Sequence, residues 1–345
     1  MTHDAVNHDG PLRWGILATG KIAHTFASDL ALVPDAELVA VGSRSLARAE
    51  EFAAAYGGRP HGSYADLVAD PDVDVVYVAT PHALHLADAR LALEAGKHVL
   101  CEKPLTLDVA EAEEMVRVAR EHDRFLMEAM WTACHPTIRA LLTGLREGRF
   151  GRPRQLHAEL GFVVDRPATD RMFDPALGAS ALLDMGVYGL TLAHLVLGRA
   201  EHLVATGDVR TTPNGSYDLD VAVSGRYAGG TLATVTASMS SWSSRQAQIA
   251  TDRGRIVLDD FHHPTRAVFT PYAAGGSNDA TDLLEPEEIA PVEPVIGRGY
   301  AHEIIEVGRC LREGLRESPL VPLEQTLTLL RQMDDLRAQL GVVHP

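Results

Sequence analysis

The 345-residue chain is 46% apolar and 23% charged, with a formal net charge of −16, the profile of a globular protein longer than one hydrophobic core usually supports, so two domains are expected. Nothing basic is concentrated enough to displace counterions from a phosphate backbone, which argues against nucleic-acid binding and requires any anionic ligand to be held by local cations. Cys101, Cys134 and Cys310 are too few and too scattered for a disulfide frame or a thiolate zinc site, so reduced, buried thiols are expected.

The polar opening residues 1–10 lack a basic apolar signal, and no apolar run approaches the ~18 residues of a membrane span. A soluble, cytoplasmic protein is expected. Residues 12–20 read as a short strand running into a glycine turn, and 21–32 continue with helical periodicity, the shape of a first βα unit. A G-x-G-x-x-G/A fingerprint would fall on Ala18, Gly20 and Ala23, with Thr19, Lys21 and Ile22 between them. Gly20 would let the backbone approach a pyrophosphate at the helix N-terminus. Alanine stands where the first glycine belongs, and it can serve only if that position has φ below zero. Taken alone, the motif fits an ordinary strand–helix turn equally well.

Strand 37–43 follows at the interval where a ribose-reading residue is due. An NAD enzyme usually carries Asp or Glu there; this chain has Ser43 and Arg44, with Arg48 one turn along the helix Leu46–Tyr56. A guanidinium fork suits a 2′-phosphate and stacks on adenine, so NADP(H) is expected over NAD(H). The alternative is a pair of solvated arginines at a helix start. Residues 73–80 form a continuous apolar strand of the kind covered on both faces in a parallel sheet. Thr80, Pro81 and His82 then turn into helix 83–95, which ends at Gly96. His82 and His85 are two potential metal ligands, but no carboxylate completes a set, so no metal is expected and His82 is assigned near the nicotinamide or substrate.

Strand 97–101 runs into Glu102-Lys103-Pro104 ahead of helix 108–122. In an open parallel sheet, ligands bind outside the carboxyl ends of the strands, which makes Lys103 a candidate catalytic and cofactor-facing group with Glu102 beside it. The proline fixes the turn and is compatible with a cis bond. A solvated lysine turn is the competing reading. Residues 125–128 begin a further strand leading to Trp131, a candidate active-site wall or a piece of core.

The stretches Trp14–Ala23, Gly96–Pro104 and Met127–Trp131 together resemble the glucose-fructose oxidoreductase, inositol dehydrogenase and MocA (Gfo/Idh/MocA) family, over nearly the whole chain. Residues 127–132, 181–188 and 317–345 resemble the branch containing dimeric dihydrodiol dehydrogenase and NADP-dependent D-xylose 1-dehydrogenase. Departures from the family pattern are Ala18, His82 in place of an asparagine, and Tyr188 where many members have histidine. The fold expected is α/β: a dinucleotide-binding Rossmann domain over 1–128 with a doubly wound parallel sheet, then an α+β substrate-binding and dimerisation domain over 129–345. Its C-terminal helices are expected to pack back on the first domain.

In that second half, helix 175–197 carries Asp184 and Tyr188, four apart and so on one face. Strands are expected at 201–212, 217–227, 230–241, 245–251, 254–259 and 266–270, forming an open, mainly antiparallel sheet. The resemblance implies that this sheet packs on a partner in a homodimer or tetramer. A long loop is expected over 271–299 and closing helices over 300–314 and 322–340. The chemistry expected is hydride transfer between the nicotinamide and a carbinol carbon. Tyr188 moves the proton, the ammonium of Lys103 lowers the phenol pKa from ~10, and Asp184 orients Lys103 or substrate hydroxyls. His157, Phe162, Arg166 and His302 lie where substrate contacts can fall. The expected activity is an NADP-dependent dehydrogenase acting on the CH–OH group of D-xylose, a related aldose or a trans-dihydrodiol. Alternatives are an inositol or other carbohydrate dehydrogenase or reductase on the same scaffold, and a non-catalytic NADP-binding sensor.

Overall fold

A computed structural model describes residues 10–167, 169–273 and 283–343. The polar opening residues 1–9, residues 274–282 of the expected loop, and the terminal His344-Pro345 lie outside them. The chain divides into two compact units, one comprising residues up to Cys134 together with Val295–Leu330, the other comprising His135–Pro294 with the residues from Arg331 onward.

In the first unit, strands β1 (Leu12–Leu17), β2 (Ala36–Gly42), β3 (Arg59–His61), β4 (Val75–Val78), β5 (His98–Cys101) and β6 (Leu126–Glu128) form a parallel sheet in the order β3-β2-β1-β4-β5-β6. Helices α1 (Lys21–Leu30), α2 (Leu46–Tyr56), α3 (Tyr64–Ala69), α4 (His85–Glu94) and α5 (Val109–Glu121) connect them, and the short α6 (Trp131–Cys134) follows β6. This is the doubly wound Rossmann sheet. The strand order reverses between β1 and β4, which places the Ala18–Gly20 and Thr80–His82 turns at the switch point where such sheets bind ligands. Every residue of β4 and β5 is buried, as a sheet covered on both faces demands. On one of those faces the ring of Phe26 stacks on Tyr77 with centroids 3.7 Å apart. Strand β3 and helix α3 are too short to show a period, and pattern analysis leaves them unplaced.

The second unit opens with α7 (Pro136–Arg146) and β7 (Pro153–Gly161). After 3-10 turns at Arg171–Phe173 and Pro175–Leu177 come a π-helical segment, Leu182–Gly186, and then α8 (Val187–Leu197). The single helix expected over 175–197 is therefore three pieces. Strands β8 (Ala200–Thr212), β9 (Gly215–Tyr227), β10 (Thr231–Ser238), β11 (Ala247–Thr251), β12 (Gly254–Asp259), β13 (Arg266–Pro271) and β14 (Glu287–Glu288) join β7 in an eight-stranded sheet of order β14-β13-β12-β11-β7-β10-β9-β8. All its pairings are antiparallel except β7 with β10. Strand β14 lies inside the segment expected to be loop. One face of the sheet is buried through Leu156, Val223, Val235 and Ile256. Helix α8 packs there, and Gly189 permits the approach: a Cβ at that position would sit 2.4 Å from Cγ1 of Val235.

The segment Pro175–Leu197 is apolar enough, by length and composition, to qualify as a membrane span, which the composition reading missed; 78% of its most apolar window is buried inside the protein, the environment of a core helix. The chain ends with α9 (Ala301–Arg312) and α10 (Leu323–Leu340). Within the first unit α9 returns to α1: the Asp29 carboxylate accepts the backbone N–H groups of Arg298, Tyr300 and Ala301 at 2.9–3.3 Å, which caps the helix with negative charge.

Candidate active site

The turn after β1 leads into the N-terminus of α1, whose cap residue Gly20 offers no side-chain hydrogen bond and whose first turn carries no acid. The free N–H groups there suit a diphosphate. Gly20 has φ −78°, open to any residue, and a Cβ on it would meet nothing within 4 Å. Neither backbone strain nor internal packing requires glycine there, and the space beside its backbone is open. Lys21 is exposed, while Thr19 and Ile22 are half-buried beside it.

Ala18 departs from expectation. Its φ is +83°, the left-handed region, so the turn keeps the geometry that a glycine would supply and the alanine bears the strain. Its N–H donates to the carbonyl of Gly42 at 3.0 Å, which holds the turn against β2. Ala18→Gly is accordingly expected to raise the stability of the protein by about 1 kcal/mol, read as a higher thermal midpoint with NADPH affinity retained; a lower midpoint would contradict the strain.

At the end of β2, Ser43 is buried and its Oγ accepts from the N–H of Ser45 at 3.3 Å. Arg44 and Arg48 are both exposed, on the first turn into α2, whose own first turn carries no acid. Arg44 lies beside the phenol of Tyr64 and near Asp88; burial raises the pKa of both groups, and the guanidinium opposes the rise.

At the end of β4, Thr80 and His82 are buried. Pro81 is half-buried between them. His85 is fully buried rather than open to a ligand: its Nδ1 lies 3.0 Å from the Pro104 carbonyl and its Nε2 2.9 Å from the Thr80 carbonyl. Burial holds its pKa below the ordinary histidine value.

Lys103 follows β5 with a half-buried side chain, between the buried Glu102 and Pro104, and the Lys103–Pro104 bond is cis. Glu102 Oε1 accepts from the hydroxyl of Tyr77, and its Oε2 accepts from the N–H of Lys103 at 3.1 Å. Burial, followed by the charge of Glu102, drives the Tyr77 phenol well above its usual pKa.

Pattern analysis missed two further carboxyls here. Glu128, ending β6, is fully desolvated and raised in pKa by burial; its oxygens accept from the Leu105 N–H at 3.1 Å and the Thr326 hydroxyl at 2.8 Å. Glu303 on α9 has no hydrogen-bond partner on either oxygen among the described residues, and burial, followed by repulsion from Glu102 and Asp29, pushes its pKa well above the usual carboxyl range. Trp131 is 4% exposed and stacks on Tyr300 at 4.4 Å, a core contact of the first unit. Among the described residues no group of three or more His, Cys, Asp or Glu is placed to hold a metal ion.

In the second unit Asp184 and Tyr188 sit on consecutive helical pieces, both nearly buried. Asp184 belongs to the π-helical segment, so an α-helical spacing does not define the face the pair share. Asp184 Oδ1 lies 3.9 Å from Nη1 of Arg171. The segment is anchored by Asp218, a fully buried carboxylate that accepts from Ser180 Oγ and the Leu182 N–H, each at 2.6 Å. Burial raises the pKa of Asp218 to about 6. Tyr188 packs against the ring of His262 with centroids 5.4 Å apart. Nδ1 of His262 lies 3.1 Å from Asp260, which also pairs with Arg245 at 2.8 Å. The adjacent His262-His263 in the β12–β13 connection was the available signal for this neighbour.

The looser substrate candidates separate. His157 lies on the exposed face of the sheet and bonds to Thr234. Phe162 and Arg166 are exposed beyond β7. His302 is buried in the first unit, where its Nε2 accepts from the N–H of Ile296 at 3.1 Å. That bond makes it a structural group.

Residues 12–130 match the oxidoreductase family with an NAD-binding Rossmann fold, GFO_IDH_MocA, and residues 138–257 match the GFO/IDH/MocA C-terminal domain. The chain is 36% identical over 347 residues to the trans-1,2-dihydrobenzene-1,2-diol dehydrogenase of Mus musculus, covering 97% of this chain and 98% of that one. Against the protein of the same name from Homo sapiens it is 35% identical over 348 residues, with the same coverage. Among solved structures it is similar to the 3-ketoreductase KijD10 from Actinomadura kijaniata in complex with NADP and TDP-benzene (TM-score 0.82, 27% identity, 96% of this chain and 98% of that one). A likeness to the aldose-aldose oxidoreductase of Caulobacter crescentus (TM-score 0.83, 21% identity, 97% and 100%) shows the shared fold.

Proposed function

The chain belongs to the GFO/IDH/MocA oxidoreductase family, and on that premise we propose that it is an NADP(H)-dependent dehydrogenase acting on the CH–OH group of a trans-dihydrodiol or of a sugar such as D-xylose, with Lys103, Tyr188 and Asp184 as its catalytic residues. The observation that carries the reading is a lysine fixed at the carboxyl end of a central parallel strand, beside the switch point and an uncapped, acid-free helix N-terminus. The names of the mammalian relatives support the substrate class.

When bound, NADP(H) supplies or accepts the hydride at the nicotinamide C4. Ala18–Ile22 would hold its diphosphate through backbone N–H groups, Thr80, Pro81 and His82 would contact it at the end of β4, and Ser43, Arg44 and Arg48 would receive the ribose and 2′-phosphate. Tyr188 Oη takes the proton from the carbinol oxygen in oxidation and returns it in reduction. The ammonium of Lys103 favours the phenolate and donates a hydrogen bond to the same oxygen, while Asp184 orients the lysine or a neighbouring hydroxyl. The likeness to an NADP-bound 3-ketoreductase supports the cofactor choice. We place the protein in the cytoplasm, where its three free, buried cysteines suit a reducing compartment. We assign dimer or tetramer contact to the outer sheet face, where Val204 and Leu232 stay 49% and 51% exposed.

The assay is absorbance at 340 nm with NADP⁺ and trans-1,2-dihydrobenzene-1,2-diol or a sugar panel. Steady turnover is expected; tight NADPH binding with no turnover across the panel would identify a sensor. The cofactor part has its own test. Arg44→Ala is expected to weaken NADPH about 10–100-fold, the loss of a charge-assisted contact to phosphate, and NADH by less than about threefold. Equal losses with both cofactors, by fluorescence titration, would remove the 2′-phosphate assignment.

A further inference from the structure

The turn bearing Lys103 is held residue by residue. The Lys103 N–H donates to Glu102 Oε2 at 3.1 Å, the Pro104 carbonyl faces His85 Nδ1 at 3.0 Å, and the Leu105 N–H donates to Glu128 Oε1 at 3.1 Å. The holders are themselves fixed. Glu102 accepts from the Tyr77 hydroxyl, the second nitrogen of His85 reaches the Thr80 carbonyl at 2.9 Å, and the second oxygen of Glu128 accepts from Thr326 at 2.8 Å. Tyr77 and His85 are 0% exposed, Glu128 3% and Glu102 8%. Burying two carboxyls and an imidazole is unfavourable unless their bonds are satisfied. Here those bonds converge on three consecutive backbone positions, and the long, half-buried lysine side chain starts from that fixed base.

We infer that Glu128 and His85 are positioning residues for Lys103. Both are buried and reach the backbone of the turn, and they set where the ammonium can reach. His85 also stands between the lysine turn and the Thr80 turn, with one ring nitrogen 3.0 Å from the Pro104 carbonyl and the other 2.9 Å from the Thr80 carbonyl; a neutral imidazole carries one N–H and donates it to one of the two. Glu128 ties the same turn to β6 and, through Thr326, to α10. A displacement of about 1 Å at a catalytic group lowers rate on the order of 10²-fold, so the clamp matters to turnover more than to cofactor affinity. The inference rests on the reading that Lys103 is catalytic.

The test compares Glu128→Leu, Glu128→Gln and His85→Leu with Lys103→Met and with each Leu change combined with Lys103→Met, assayed with NADP⁺ and trans-1,2-dihydrobenzene-1,2-diol. Each Leu variant is expected to lose about 10–100-fold in kcat with the NADPH Kd within about threefold. Glu128→Gln, which keeps an acceptor for the Leu105 N–H, is expected to recover kcat to within about threefold. On the Lys103→Met background neither Leu change should lower kcat further, since residues acting through one group are non-additive. Amide hydrogen exchange, which needs no substrate, should accelerate in the 102–106 peptide of both Leu variants and stay unchanged elsewhere. Unaltered exchange in that peptide, unaltered kcat, or a loss that persists undiminished on the Lys103→Met background would overturn the inference. Should Glu128→Leu fail to fold, His85→Leu decides on the same readouts. A Lys103→Met enzyme that turns over normally would overturn the catalytic reading instead.

Discussion

Replacing Tyr188 with phenylalanine is expected to lower kcat by about 10²–10⁴-fold, the range spanned by loss of a positioned acid–base group, with the NADPH Kd within about threefold. The substitution is conservative where it matters for folding: Tyr188 is 8% exposed and its ring packs on His262, and phenylalanine keeps both the volume and that contact. Only the hydroxyl is removed. The variant should fold and retain cofactor binding, so the loss appears in kcat by the 340 nm assay. Near-normal turnover in a folded Tyr188→Phe enzyme would withdraw the acid–base assignment and turn attention to His262, whose ring lies against the tyrosine and whose pKa burial lowers below the ordinary histidine value.

Lys103→Met is expected to be comparably severe, about 10²–10⁴-fold in kcat/KM, because a cation aimed at a developing oxyanion contributes in the transition state more than in the ground state. Methionine keeps much of the length and flexibility of the stem and removes the charge, and the backbone bonds of the turn, made by Glu102, His85 and Glu128, do not involve the lysine side chain. The pH profile provides a sign as well as a size. If the ammonium lowers the phenol pKa, its removal shifts the alkaline rise of the residual oxidation rate upward toward the ~10 of an unassisted tyrosine. A profile that keeps its position while the rate falls would show that Lys103 acts on the substrate alone.

The parallel strands other than β3, and their carboxyl-end turns, were legible because their signals are local. Residues 75–78 and 98–101 are unbroken apolar runs, and a glycine, a Thr-Pro pair or a Glu-Lys-Pro tripeptide marks where each turn begins. Strand β7 was missed although Leu156, Ala158 and Leu160 alternate inward along it; the flanking proline and the intervening charges obscured the period. The π-helical piece at 182–186 leaves the composition of a helix unchanged, so its break is invisible in periodicity. Ala18 shows the same limit at one residue, since its positive φ is imposed by the turn and not chosen by alanine.

The support around Lys103 was legible in part. Glu102 stands next to the lysine in sequence, but Glu128, Thr326, Glu303 and His85 reach the same neighbourhood from β6, α10, α9 and α4. Their roles depend on partners up to 198 residues apart, as with Thr326 and Glu128, and no window of sequence contains both ends of such a bond. His302 is a different case: its partner, the Ile296 N–H, is six residues away, but the irregular backbone before α9 has no period from which such a bond can be read.

The central claim, an NADP-dependent dehydrogenase that depends on Lys103 and Tyr188, is tested most directly by following absorbance at 340 nm with NADP⁺ and trans-1,2-dihydrobenzene-1,2-diol or D-xylose, for the wild type beside Tyr188→Phe and Lys103→Met. The account predicts steady NADPH production by the wild type and a loss of two or more orders of magnitude in both variants, each still binding NADPH. Turnover undiminished in either variant, or NADPH binding by the wild type with no turnover on any sugar or diol of the panel, would contradict it.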